Sequence, residues 1–163
     1  MTQSHPIPPL YDGASRVLIL GSFPSVQSRA GMFFYHHPQN RFWQVLSAVL
    51  GCETPASVPD KRMMLLAHGV ALWDVIARCD IEGSADATIR AVEPTDLRPI
   101  LAAAPIRRIF CNGGTAWKLY QKHQFPRVGI PAIQLPSTSP ANAAWRLPAL
   151  IEAWRVVLED ANG

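Results

Sequence analysis

The sequence predicts an α/β fold with three layers, α/β/α, around a short, central and mainly parallel sheet of four strands. Four short apolar runs predict the strands, because strands that helices cover on both faces are apolar throughout. Helical patterns lie between these runs, and strands that alternate with helices favour a parallel sheet. The predicted strands are residues 17–20, 70–73, 108–111 and 131–135.

Five helices are predicted from apolar periodicity and from residue types that favour helix starts. Residues 41–50 repeat apolar side chains at helical spacing. Pro59 precedes the second helix, and Thr95 is a residue type that favours the N-cap of the third. The predicted helices are residues 41–50, 60–67, 95–103, 114–123 and 145–158.

Three segments are predicted to lack regular structure. Residues 1–15 contain four prolines or glycines and are predicted to be an extended lead-in. Residues 21–40 form a long loop after the first strand, and the polar residues 79–94 are predicted to be irregular. The chain contains no repeat and no low-complexity tract, so we predict a single domain over residues 1–163.

Composition favours a globular protein of ordinary type. The 163 residues are 48% hydrophobic and 17% charged, which indicates a folded rather than a disordered chain. The net charge of +3 permits binding to a polyanion but does not require it, so an ordinary basic enzyme is the alternative. The N-terminus lacks a basic segment followed by an apolar one, so no signal peptide is expected, and no apolar run is long enough to span a membrane.

The cysteines favour reduced thiols and no metal site. Cys52, Cys79 and Cys111 are far apart, and none forms a Cys-x-x-Cys pair. An odd number of scattered cysteines is typical of a cytosolic protein, so we expect a cytoplasmic location. The glycines at 113–114 match neither the dinucleotide-binding nor the P-loop pattern, and no cofactor is predicted.

Polar segments follow all four predicted strands. The loop 21–40 follows the first strand, Asp74 follows the second, residues 112–115 follow the third and residues 135–140 come at the end of the fourth. The carboxyl ends of parallel strands lie along one edge of a sheet, so these segments are expected to converge. The sequence therefore predicts a single site at that edge.

Three of these segments resemble motifs of a known enzyme family. They are Gly-Ser-Phe-Pro-Ser at 21–25, His-Pro-Gln-Asn-Arg-Phe-Trp at 37–43 and Leu-Pro-Ser-Thr-Ser-Pro at 135–140. With them the chain resembles the uracil-DNA glycosylase superfamily, above all its hypoxanthine-DNA (deoxyinosine) branch and next its mismatch-specific branch. The resemblance spans most of the chain, and it implies hydrolysis of the N-glycosidic bond of a base flipped out of DNA.

The chain departs from the common superfamily pattern at two positions. Many members have Asp or Asn at the third position of the first motif, where it positions the hydrolytic water, and this chain has Phe23. Many begin the second motif with His or Asn, which stabilises a departing pyrimidine anion, and this chain has Leu135. In the hypoxanthine-removing branch the Asn of His-Pro-x-Asn takes over the water, which implies a catalytic role for Asn40. Both departures favour a purine, which can depart protonated.

The resemblance also implies which residues contact the nucleotide. Tyr35 occupies the position of an aromatic residue that stacks on the flipped base, and Phe23 is expected to cover the other face. Asp74 is expected to accept a hydrogen bond from the base, and Asn112 is predicted to contact the base from the third strand. The residues expected to bind DNA phosphates are Ser22, Ser25, Ser137, Thr138 and Ser139.

Several of these roles have structural alternatives. Asn40 precedes a helix, and Asn is a favoured N-cap, so it can serve the helix and the reaction at once. Loop packing is the alternative for Tyr35. A leucine often fills the vacated base stack in this superfamily, but Ser139 stands at that position, which leaves Pro140 or Asn142 for the task.

The leading hypothesis is a monofunctional DNA glycosylase of base-excision repair that removes hypoxanthine, or uracil. The alternatives are a non-catalytic nucleic-acid-binding module of the same fold and a uracil- or mismatch-specific glycosylase. The expected partner is double-stranded DNA with a damaged base, bound by a monomer that associates with the nucleoid. The site loops contain no lysine to form a Schiff base, so lyase activity is not expected.

Overall fold

The computed structural model describes residues 2–162, and their backbone forms two β-sheets. The larger sheet contains the four predicted strands, each confirmed to within one residue at either end. The smaller sheet has three strands. The strands in chain order are β1 (Thr2–Ser4), β2 (Val17–Gly21), β3 (Val70–Asp74), β4 (Ile76–Asp80), β5 (Arg90–Pro94), β6 (Arg108–Asn112) and β7 (Ala132–Leu135).

The larger sheet is parallel throughout and has the strand order β3-β2-β6-β7. Its registers align the last residues of neighbouring strands: Gly21 lies opposite Asp74, and Asn112 lies opposite Leu135. The four segments that follow these strands therefore leave from one edge of the sheet, as predicted.

Helices cover both faces of the larger sheet and complete the three predicted layers. The predicted helix 114–123 is confirmed at both ends, and a helix before residue 32 is an addition to the prediction. The helices in chain order are α1 (Val26–Gly31), α2 (Phe42–Leu50), α3 (Val58–Ala67), α4 (Arg98–Ala103), α5 (Gly114–His123), α6 (Phe125–Val128), α7 (Leu147–Trp154) and α8 (Val156–Asn162).

Two apolar cores hold these layers together, one on each face of the sheet. Strand β2 contributes to both, because its side chains alternate: Val17 and Ile19 pack with α2, α3, α7 and α8, whereas Leu18 and Leu20 pack with α4 and α5. Trp154, fully buried in the first core, donates from Nε1 to the Pro136 carbonyl at 3.0 Å. This core thus fixes the loop that follows β7.

The prediction that residues 79–94 are irregular is wrong. They contain the end of β4 and all of β5, which pair antiparallel in the smaller sheet of order β1-β4-β5. Within the predicted lead-in, residues 2–4 form β1 against β4. The strands β1 and β4 are some 75 residues apart in sequence. Strand preference depends on packing against neighbouring strands, so the local sequence gives little indication that these segments form a sheet.

Two helix boundaries also differ from the prediction. Thr95 is not an N-cap: its buried hydroxyl donates to the Asp74 carbonyl at 2.7 Å, and α4 begins only at Arg98. The predicted helix 145–158 is divided at Arg155, which separates α7 from α8. In the first case the Thr95 hydroxyl, which local preference predicts to cap the helix, is instead used in a long-range hydrogen bond at the end of β3.

Candidate active site

A cavity of about 360 Å³ opens at the carboxyl edge of the larger sheet. Its volume lies within the range of about 300–1,000 Å³ that is typical of small-ligand sites. All the residues predicted from the sequence to bind base or phosphate, or to catalyse, line this one cavity: Ser22, Phe23, Ser25, Tyr35, Asn40, Asp74, Asn112, Ser137, Thr138 and Ser139.

Asn40 is held at the cavity wall through its carboxamide oxygen. Oδ1 accepts a hydrogen bond from the Phe42 backbone N–H at 3.0 Å and another from the Thr138 hydroxyl at 2.8 Å. The first bond ties Asn40 to the start of α2, but the N-cap of that helix is Arg41, so Asn40 supports the turn before the helix and is not its cap. The second ties the residue to the loop after β7, which comes from the other end of the chain.

Hydrogen-bond directions around Thr138 fix which end of the Asn40 amide faces the cavity. The Thr138 N–H donates to Asn112 Oδ1 at 3.0 Å, so Asn112 Nδ2 is the atom that donates to the Thr138 hydroxyl, also at 3.0 Å. That hydroxyl has a single proton, which goes to Asn40 Oδ1. Both lone pairs of Asn40 Oδ1 are then occupied, and Nδ2 is left as the donor available to the cavity.

Thr138 is committed to this network and is not free to bind DNA. It is fully buried, its N–H and hydroxyl are used as described, and its carbonyl accepts from the Arg41 N–H at 3.1 Å. The structure therefore contradicts the phosphate role predicted for Thr138, because no polar atom of the residue remains for a phosphate. Its place is behind Asn40, as the group that orients it.

Replacing Thr138 with valine is expected to slow base excision by about 10- to 100-fold, since a buried hydrogen bond left unmade costs about 1–3 kcal/mol. Valine has the shape of threonine, but it removes one of the two donors to Asn40 Oδ1 and leaves Asn112 Nδ2 without its acceptor. Single-turnover rates of Thr138→Val and of the control Thr138→Ser, which keeps the hydroxyl, measure the effect. A valine variant with the wild-type rate would remove Thr138 from the mechanism.

Arg41 joins the two motif loops that bound the cavity. Its guanidinium donates to the carbonyls of Ser139 and Asn142, both at 3.1 Å, and to that of Trp145. Five guanidinium donors in a rigid fork suit a cluster of carbonyls. Arg41 thus holds the loop 136–145 close to Asn40, the residue that precedes Arg41 in the chain.

Asp74 ends β3 and is 4% exposed at the floor of the cavity. One carboxylate oxygen, Oδ2, lies 2.7 Å from His5 Nε2, and no group within residues 2–162 donates to the other, Oδ1. Gly21, opposite on β2, has no side chain to cover Oδ1: a Cβ there would lie 2.4 Å from it. The glycine of the first motif therefore opens the carboxylate to the cavity.

Tyr35 is placed for stacking on one face only. Its ring stacks on Phe42, with centroids 4.0 Å apart, so that face is already covered. Its hydroxyl is buried without a hydrogen-bond partner among the described residues. Burial, with the nearby Asp74 carboxylate contributing, raises the Tyr35 pKa well above its ordinary value, so the phenol is a neutral donor.

Phe23 forms an apolar wall of the cavity and is 7% exposed. The Arg29 guanidinium lies 5.3 Å from its ring centroid, and His5 meets the ring edge to face at 5.9 Å. These contacts anchor the ring at the third position of the first motif. Its predicted role as the cover of one base face stays a prediction.

Asp86 is a cavity residue that the sequence analysis missed. It opens a short 3-10 turn, Asp86–Thr88, in the segment predicted to be irregular, and its Oδ1 accepts from the Ser22 hydroxyl at 2.9 Å. The residue is exposed as a whole, but partial desolvation of its carboxylate, with repulsion from Asp74 contributing, raises the Asp86 pKa. An acidic residue in a polar loop carries no local sign of this placement.

The other serines predicted to bind phosphate differ in whether their hydroxyl protons are still available. Ser22 is engaged with Asp86, and Ser25 caps α1, where its Oγ accepts from the Ser28 N–H at 3.1 Å and donates to the Ser28 hydroxyl. Ser137 and Ser139 accept from backbone N–H groups and keep their hydroxyl protons available. These two half-buried serines are the best placed of the set.

Residues 2–162 lack two kinds of feature. No group of His, Cys, Asp and Glu side chains there is arranged to hold a metal ion. His37 instead accepts a hydrogen bond from the Gln39 N–H at Nδ1. Within the same residues, no helix has the length and apolar character needed to cross a bilayer.

The cavity combines an amide donor, a carboxylate, aromatic walls and hydroxyls at its rim. Such a set suits one nucleotide turned out of a nucleic acid, with the base enclosed and the phosphates outside. A cavity of this kind, at the carboxyl edge of a parallel sheet within three α/β/α layers, is suited to enclose a base that has left the stack of a nucleic acid.

Comparison with known proteins gives the family. The model of the uracil DNA glycosylase superfamily matches residues 8–158, and the chain belongs to that superfamily. It is 31% identical to a hypoxanthine DNA glycosylase of Methanosarcina acetivorans over 136 residues, which cover 83% of this chain and 85% of the relative. It is 31% identical to one of Methanosarcina barkeri over 108 residues, which cover 65% and 68%.

A solved structure supports the same assignment. The chain superposes on the solution NMR structure of a candidate uracil DNA glycosylase from Methanosarcina acetivorans with a TM-score of 0.84, full coverage of both chains and 28% identity. The superfamily predicted from the motifs and the predicted fold class are both confirmed.

Proposed function

We propose that this DNA glycosylase removes hypoxanthine from double-stranded DNA, with Asn40 as the catalytic residue. The single observation that carries the proposal is the cavity in which the Asn40 amide is oriented by Thr138 and the Phe42 N–H. The relatives named as hypoxanthine DNA glycosylases support the choice of base.

The reaction adds water to C1′ of the deoxyribose as the bond to N9 of the purine breaks. The attacking water loses one proton to solvent, and N7 of the departing base gains one from solvent. Asn40 Nδ2 donates to the water oxygen, which leaves a second lone pair directed at the sugar. A carboxamide does not remove a proton, so its contribution is orientation and a preorganised dipole. The transition state carries positive charge on the sugar, and the substrate's own phosphates stabilise that charge.

The leaving group explains why the chain manages without a polar residue at position 135. A uracil anion departs with negative charge on its oxygen, and the buried Leu135 offers that charge no hydrogen bond. Hypoxanthine has a basic N7 and departs as a neutral base once N7 is protonated. Leu135 therefore suits a purine better than a pyrimidine, and Phe23 is compatible with the reaction because Asn40 orients the water in its place.

Base contacts follow from the groups on the cavity wall. Asp74 Oδ1 accepts the N1–H of hypoxanthine, and the neutral Tyr35 hydroxyl donates to an acceptor on the base. Both ends of the Asn112 amide are hydrogen-bonded to Thr138. Asn112 therefore supports Asn40 through Thr138 and does not contact the base. Ser137 and Ser139 donate to the flanking phosphates. We infer a monomer that acts in the cytoplasm, on nucleoid DNA.

A strand-cleavage assay tests the proposal. Labelled duplexes with deoxyinosine opposite a pyrimidine, deoxyuridine opposite G, or thymine opposite G are incubated with excess enzyme and then treated with alkali. We expect fastest cleavage at deoxyinosine, and none without alkali because no lysine lines the cavity. Cleavage mainly at deoxyuridine would move the enzyme to the uracil or mismatch branch, and no cleavage would favour a DNA-binding module.

A further inference from the structure

The N-terminal strand delivers a histidine to the floor of the cavity. His5 directly follows β1, and its backbone N–H donates to the Ala77 carbonyl on β4 at 2.8 Å. Its side chain is 3% exposed, and Phe23 and Trp73 meet the ring edge to face at 5.9 and 6.0 Å. The imidazole is therefore fixed in position, beside a cavity that it does not itself line.

Hydrogen bonds at both ring nitrogens determine where the His5 proton lies. The Ile7 backbone N–H donates to Nδ1 at 3.1 Å, and a backbone amide can only donate, so Nδ1 carries no proton. The proton is then on Nε2, which lies 2.7 Å from Asp74 Oδ2. His5 is thus a neutral imidazole that donates to the carboxylate.

We propose that His5 is a positioning residue that sets base selectivity through Asp74, an inference that rests on the proposed function. By occupying Oδ2, it holds the carboxylate in one rotamer with Oδ1 directed at the cavity. At the position of Asp74 Oδ1, the floor of the cavity then offers a hydrogen-bond acceptor and no donor. Base selectivity thus depends on His5, a residue outside all three motif segments.

An acceptor at this point separates a deaminated purine from adenine. Hypoxanthine has a proton on N1, next to a carbonyl, and donates it to Oδ1. Adenine has a lone pair on N1, which faces the carboxylate oxygen and leaves both groups without a partner. Sites built around one hydrogen bond reject an analogue that lacks it, because the buried polar groups are left unpaired.

Two substitutions separate the donor from the bulk of the side chain. His5→Leu removes the Nε2–H, and His5→Gln places an amide N–H near the same point. We expect His5→Leu to lower the single-turnover rate at deoxyinosine about tenfold, in line with a hydrogen bond to a charged group. The glutamine variant should recover most of the rate. In an Asp74→Asn background, His5→Leu should have no further effect.

A second measurement tests selectivity without cleavage. In the Asn40→Ala background, affinities are compared for duplexes that carry deoxyinosine or deoxynebularine, a purine with no N1–H and no carbonyl. We expect His5→Leu to reduce the preference for deoxyinosine about tenfold and leave deoxynebularine binding unchanged. Thr2→Val is the matched control, because it removes the Thr2–Asp80 bond of the same strand without touching Asp74.

The outcomes are distinguishable. Equal losses on both duplexes, matched by Thr2→Val, would show that His5 only anchors the strand and would overturn the inference. An Nδ1–H tautomer of His5 in ¹⁵N NMR would overturn it as well, whatever the activity. A wild-type enzyme that does not cleave deoxyinosine would refute the proposed function and the inference together, whereas cleavage that is insensitive to His5→Leu would refute the inference alone.

Discussion

Asn40→Ala is expected to reduce the single-turnover rate of hypoxanthine excision by on the order of 100- to 1,000-fold, the effect of removing one preorganised donor from an active site. The variant loses the Nδ2 amide group, the donor that the Asn40 side chain offers to the cavity. DNA binding should persist, because phosphate contacts supply most of the affinity and come from other residues. Rates measured at enzyme excess, with DNA affinity measured alongside, test this expectation.

A second substitution at Asn40 separates catalysis from folding. Alanine also removes the acceptor of the Phe42 N–H, which costs about 1 kcal/mol as for other helix-start contacts. Aspartate keeps an oxygen for the Phe42 N–H and for Thr138 but has no N–H. We expect Asn40→Asp to be slower than the wild type, because a carboxylate offers the water an acceptor in place of a donor, while its unfolding midpoint stays near that of the wild type.

The neighbouring Gln39 is the matched control for both variants. It is exposed and does not line the cavity, so Gln39→Ala should keep the wild-type rate. Full activity in Asn40→Asp would contradict the assignment of Nδ2 as the working atom. Full activity in Asn40→Ala would remove the residue from the mechanism altogether.

Gly21→Ala is expected to reduce excision by about 100-fold, the cost of displacing a catalytic or binding group by about 1 Å. The new Cβ would lie 2.4 Å from Asp74 Oδ1 and 3.2 Å from the Tyr35 hydroxyl. Asp74 cannot yield without breaking its bond to His5, since both side chains are buried. The methyl group would therefore move the base-binding carboxylate or block its access to the cavity.

Gly13→Ala is the matched control for this change. Its added Cβ would meet only the Ala103 carbonyl at 3.8 Å, which is ordinary contact. We expect the control to keep the wild-type rate and stability. If Gly21→Ala excises hypoxanthine at the wild-type rate, then Asp74 Oδ1 does not take part in base binding.

Much of the fold was predictable because its signals are local. Continuous apolar runs marked β2, β3, β6 and β7, and periodicity marked the helix that became α2. Parallel strands separated by helices then place the strand ends on one edge, so the convergence of the motif loops followed from topology alone. The resemblance at the motif segments supplied Asn40 and the superfamily.

The parts that the sequence left open depend on partners distant in the chain. The smaller sheet needs β1 to pair with β4 across most of the first half of the protein, and no periodicity within either strand indicates that partner. His5 is one residue of a lead-in until that pairing brings it to Asp74. Asp86 likewise reaches the cavity only through the loop between β4 and β5.

The sequence by itself therefore determined which residues belong to the site, and the tertiary structure decided the role of each. The chain alone placed Asn40, Asp74, Asn112 and Thr138 at the edge of the sheet. Hydrogen-bond direction then decided that Thr138 orients Asn40 and that Nδ2 is the end of the amide facing the cavity. The physical reason is that a polar group's function depends on which of its lone pairs and protons remain unused, and those partners lie up to 98 residues away in sequence.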